Sequence, residues 1–124
     1  MTDKLVVVPG RSIGPITLGM TRAALPADAA LSGEIGAVGP VQFSLADGVV
    51  DDIWVDDLES RSEALEIDGQ VISRGAALAE WERLVGVCEP AEEVIGGSFY
   101  NCRRGLTLGA TIEGSISQIR IKPR

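Results

Sequence analysis

The feature that most constrains this chain is a nine-residue pattern that occurs twice. Asp47-Gly48-Val49-Val50-Asp51-Asp52-Ile53-Trp54-Val55 and Glu113-Gly114-Ser115-Ile116-Ser117-Gln118-Ile119-Arg120-Ile121 share one order: acidic, Gly, any, aliphatic, two polar, Ile, any, β-branched. Internal similarity at a fixed offset is the mark of a repeated structural unit. Asp-Gly and Glu-Gly are turn dipeptides, because glycine takes positive φ without steric penalty. The alternation after each turn is that of a strand with one face buried. Upstream, Val41, Phe43 and Leu45 alternate with Gln42 and Ser44. Leu106, Leu108, Ala110 and Ile112 alternate with Thr107, Gly109 and Thr111. Each half therefore holds a hairpin, over about 41–55 and 106–121.

Helical signals precede each hairpin. Leu78, Trp81, Leu84 and Val85 form one apolar stripe within 76–85, and Gly86 supplies the stop. Trp81 is thus expected in the core. In the first half Thr21 stands as an N-cap before Arg22-Ala23-Ala24-Leu25, with Pro26 in or ending the helix. Asp28 can cap a further turn through Leu31. The expected fold is α+β: tandem helix-plus-hairpin units forming one mostly antiparallel sheet, with helices packed on one face. It reads as a single domain of two repeats, about 10–58 and 65–122. Gly14 to Gly69 spans 55 positions and Gly48 to Gly114 spans 66, which implies an insertion of about 11 residues in the second half. It falls within 88–104 and has room for one extra strand at Ser98–Cys102. Leu58–Ser62 reads as a polar link, followed by a short strand at Ala64–Ile67.

The stretch Ile13-Gly14-Pro15-Ile16-Thr17-Leu18-Gly19-Met20-Thr21 resembles the opening of the superfamily of the beta-lactamase inhibitory protein and the small outer-membrane assembly lipoprotein. In the second half Ser73-Arg74-Gly75-Ala76 departs from that opening. The resemblance implies tandem helix-plus-strand units, a sheet with helices on one face, and binding to another protein.

Strand periodicity selects a binding face. Val49, Asp51, Ile53 and Val55 share one side, as do Ser117, Ile119 and Ile121. The matched aliphatics Ile53, Val55, Ile119 and Ile121 should face the helices. The opposite side carries Asp52, Trp54, Gln118 and Arg120, joined by Gln42, Ser44 and Thr107. A tryptophan on an open sheet face suits an interface anchor. The competing readings are that it covers a loop or stacks with Arg120.

Chemistry is sparse. The chain has no histidine, so the commonest general base and metal ligand is missing. Cys88 and Cys102 lie 14 apart, without the spacing of a zinc site, and read either as a disulfide or as two separate thiols. The disulfide is the favoured reading. It would place the protein in an exported compartment, periplasmic or secreted; reduced thiols would fit the cytoplasm. Glu92-Glu93 falls on an expected loop. The acidic run Asp51, Asp52, Asp56, Asp57 and Glu59 does not match a calcium loop and reads as a solvated strand end. Arg103-Arg104-Gly105 reads as an exposed turn. A net charge of −7 opposes binding to phosphate backbones; it suits a basic partner, though acidity of this size also serves solubility alone. The longest apolar runs are too short to span a bilayer. The sequence thus points to a non-enzymatic protein-binding module with no cofactor. The alternatives are an envelope structural domain and, less well supported, a small-molecule carrier.

Overall fold

The computed structural model describes residues 4–58, 64–72 and 76–122, apart from the side chain of Arg104. The chain is mostly β, which corrects the expected α+β arrangement. Thirteen strands form two sheets, and among the described residues there is one α-helix, α1 at Leu78–Val85. The larger sheet is antiparallel and has eight strands. The smaller has five, antiparallel except where its two central strands run parallel.

The large sheet is two four-stranded meanders joined through their last strands. The first contains β4 (Ala30–Ser32), β5 (Ile35–Val38), β6 (Val41–Ala46) and β7 (Val49–Val55). The second contains β10 (Glu89–Val94), β11 (Gly97–Asn101), β12 (Leu106–Thr111) and β13 (Ile116–Ile121). The order β10-β11-β12-β13-β7-β6-β5-β4 puts the two matched nine-residue patterns side by side at the centre. Both expected hairpins are present. Asp47 (φ 51°) and Gly48 (φ 82°) make the β6–β7 turn with both residues left-handed, the geometry whose twist matches a two-residue hairpin. The extra strand expected at Ser98–Cys102 is β11, but it is not an addition peculiar to the second half. β5 is its counterpart in the first, as β4 is of β10, and Glu92-Glu93 lies on β10 instead of a loop.

The expected first helix is only a single 3-10 turn, Arg22–Ala24. Pro26 forces Leu25 out of helical geometry, to ψ 148°, and Thr21 makes no side-chain cap. No turn of helix follows Asp28; the chain enters β4 there. The second helix forms as expected, with Gly86 at its C-cap (φ 91°) and Trp81 wholly buried. The entries to the two helical segments are held alike: Thr21 bridges to Val49 and Ala77 to Ser115, each just past a hairpin glycine.

The matched aliphatics do point inward: Ile53, Val55, Ile119 and Ile121 are fully buried. What covers them is largely the second sheet, not a layer of helices. That sheet runs β3 (Ile16–Thr17), β2 (Ser12–Ile13), β1 (Lys4–Val8), β8 (Ala64–Ile67), β9 (Gln70–Ile72). Leu5, Val7, Ile13, Ile16, Leu65 and Ile67 from it join the same core as Phe43, Leu106 and Leu108, and Trp81 and Val85 of α1 complete the cluster. β2 and β3 lie against β7. Three inward assignments fail, Val49, Asp51 and Ser117. Val50 is buried and Val49 is not, because Asp51 has no opposite residue in the β6–β7 register, and this bulge shifts the phase. Ser117 is bulged in the same way between β12 and β13.

The outer edges of the large sheet are unlike its centre. β4 is three residues long. β10 is exposed throughout, and it carries Pro90, a bulge between Pro90 and Glu92, and three glutamates. Proline, bulges and charges are the usual means of keeping an edge from recruiting another strand.

Candidate binding face

The central strands β7 and β13 pair Ile119 with Val55, Arg120 with Trp54 and Ile121 with Ile53. Trp54 and Arg120 occupy the same position in the two matched patterns. They therefore sit on the local twofold that relates β7 to β13. Both point away from the core, since their neighbours on either side point in. The Arg120 guanidinium carbon lies 5.0 Å from the Trp54 ring centroid, a cation–π contact, so the pairing that competed with an interface role for Trp54 is present. Arg120 Nε also lies 3.2 Å from Asp52 Oδ1, and Lys122 Nζ lies 3.9 Å from Asp52 Oδ2.

The polar residues expected on this face are brought together there. Gln42 pairs with Trp54 across β6–β7, Ser44 with Asp52, and Thr107 with Arg120. The Gln42 side-chain amide donates to Asp56 Oδ2 at 3.2 Å, and the Gln118 amide donates to the other Asp56 oxygen. Ser44 Oγ donates to Asp51 Oδ1 at 3.2 Å, and Thr107 Oγ1 to Asn101 Oδ1 at 3.3 Å. Hydrogen bonds thus link the flanking side chains of this face, while Asp52 Oδ1 and Arg120 Nε at its centre are buried without one.

Electrostatically the centre is a cation set among carboxylates. Burial pushes the Asp52 carboxyl above its ordinary value, against the pull of Arg120 and Lys122, and Asp51 beside it adds to the rise. The Asp52 side chain is only 16% exposed, which makes desolvation the larger influence.

Two contributors were not singled out by sequence. Asp56 belongs to the acidic run, yet it bridges Gln42 and Gln118; its place two residues beyond Trp54, on the same side of the strand, is the signal. Phe99 packs over Gly109, where an added Cβ would come within 2.9 Å of the ring. The register Phe99–Gly109–Gln118 puts it on this face. A hollow of about 330 Å³ runs beside it, lined by Glu92, Phe99, Thr107, Arg120 and Lys122 among others. Of the rest of the acidic run, Glu59 lies outside the described residues. Arg103–Gly105 is a 3-10 turn between β11 and β12.

Cys88 and Cys102 are at disulfide distance, 2.03 Å between sulfurs. They tie the segment leaving α1 to the end of β11. Among the described residues no group of three His, Cys, Asp or Glu side chains is placed to hold a metal ion, and no helix is long and apolar enough to cross a membrane. No known family model, curated protein or solved structure matches the chain.

Proposed function

We propose that this chain is a non-enzymatic protein-binding domain, inhibitor-like or immunity-like in action, that uses the outer face of the eight-stranded sheet. One observation supports the reading: Trp54 and Arg120 meet at the centre of the half-exposed outer side of the large sheet, ringed by Gln42, Ser44, Asp52 and Gln118. An aromatic and an arginine, both locked by neighbours, lose little conformational freedom when a partner arrives. A partner with basic surface suits the net charge of −7. The bridged cysteines favour an exported compartment, periplasmic or secreted. The same bond also favours the second reading, an envelope structural domain.

Capture of partners from a lysate of the source cell, with Trp54→Ala as the matched control, tests the proposal. The wild-type chain should retain a specific protein. Trp54→Ala should weaken that complex by more than about 1 kcal/mol while leaving the unfolding midpoint nearly unchanged, as hot-spot truncations do. Equal retention by both forms would remove Trp54 from the interface. Repeated recovery of nothing specific would favour the structural reading.

A further inference from the structure

The second meander carries its most exposed apolar side chains at one end. Ile95, in the β10–β11 turn, is fully exposed, and Ile112, in the β12–β13 turn, is 81% exposed, with Val94 beside them. The two turns are neighbours, because Gly97 pairs with Thr111. The corresponding turns of the first meander are Gly33-Glu34 and Asp47-Gly48. The first meander's turns are polar, although Ile35 beside its β4–β5 turn is itself 58% exposed, and apolar tips left in water contribute nothing to folding. Two hollows flank the β10–β11 turn. One, of about 310 Å³, is lined by Ile95, Phe99, Asp56 and Asp57 among others. The other, of about 420 Å³, is lined by Leu78, Val94, Tyr100, Ile112 and Glu93 among others. Neither has a lysine or arginine in its wall.

We infer that this pair of turns docks a cationic, amphipathic segment of a partner protein. Ile95 and Ile112 would take its apolar side chains, while Asp57, Glu93 and Glu113 would meet its lysines or arginines. The charge decides between occupants. Carboxylates beside the apolar tips repel an anionic lipid surface and attract a basic peptide. The inference rests on the protein-binding reading and adds a second contact surface to it, next to the first through Phe99 and Asp56.

The test follows the backbone amide resonances of the full chain during titration with two synthetic 14-residue amphipathic peptides. One is built of Leu and Lys, the other of Leu and Glu. The variants are Ile95→Asp with Ile112→Asp, and Trp54→Ala; the exposed turns allow the double variant to keep its fold, which its own amide spectrum verifies. The Leu/Lys peptide should shift amides at 93–98, 110–115 and 56–57 with saturation. The double variant should bind it at least tenfold more weakly and Trp54→Ala equally well. Shifts scattered over the acidic surface, equal binding of the Leu/Glu peptide, or an unaffected double variant would each overturn the inference. So would Ile95-dependent sedimentation with phosphatidylglycerol vesicles, which would make the occupant lipid. Loss of tip binding alongside Trp54-dependent partner capture removes only this inference. Tip binding together with partner capture that Trp54→Ala leaves unchanged removes the sheet face instead.

Discussion

Replacing both cysteines should destabilise the fold by about 3 kcal/mol, and the loss should begin at one sheet edge. The bond between Cys88 and Cys102, 14 positions apart, closes a loop of about 15 residues, and fixing such a loop in the unfolded chain is worth roughly 3 kcal/mol at 25 °C in the entropy model. That loop is the β10–β11 hairpin. β10 is exposed along its whole length, so its hold on the sheet comes from hydrogen bonds to β11 and from this bond. Cys88 is 6% exposed, and serine there would bury a hydroxyl and add its own penalty. Cys88→Ala with Cys102→Ala is therefore the clean perturbation. Urea unfolding should show the loss, accompanied by a fall in melting temperature of about 10 °C. Amide exchange should accelerate first over 89–101, while β7 and β13 keep their protection. A loss below about 1 kcal/mol, or exchange rising uniformly over both meanders, would refute this account of the bond.

Gly97 has a narrower role. A Cβ there would sit 1.9 Å from the carbonyl oxygen of Ala110, so Gly97→Ala should cost more than about 2 kcal/mol by urea unfolding, through displacement of the β12 backbone at Ala110. Ile119→Ala, at the fully buried centre of the sheet, should cost about 2–5 kcal/mol in the same assay. Asp52 has its carboxyl raised chiefly by burial, so it binds protons more readily folded than unfolded. Its contribution to stability is then present below the ordinary carboxylate value and is lost as pH rises through the higher folded value. Asp52→Asn should accordingly compare better with wild type at pH 7 than at pH 3.5 in unfolding titrations; the opposite trend would show that the pull of Arg120 and Lys122 outweighs burial.

How much of this was legible depended on where each signal resides. β6, β7, β12 and β13 are written locally, in turn glycines and period-two alternation, and α1 in its apolar stripe. The edge strands are not. Glu89-Pro90-Ala91-Glu92-Glu93-Val94 has the composition of a loop, and it is a strand only because β11 lies beside it. The identity of the covering layer was equally hidden. Ile53 and Ile119 announce that something apolar must cover them, but the segments that do so, around Leu5, Ile13 and Leu65, are short and distant in sequence. Proline settled the first helix against the propensity of Ala23-Ala24. On the outer face of the large sheet, Trp54, Arg120, Gln42, Ser44, Asp52 and Gln118 were placed by alternation alone. Asp51 was misplaced by that same rule, since a bulge leaves no trace in composition. Asp56 was passed over because a carboxylate within an acidic run looks solvated until its amide partners are known.

The proline, the bulge and the glutamates of β10, with the brevity of β4, have a consequence at high protein concentration. A three-residue strand at one flank, and at the other a strand broken by a proline and a bulge and lined with glutamates, are poor templates for a further strand, which disfavours growth of the eight strands into a filament.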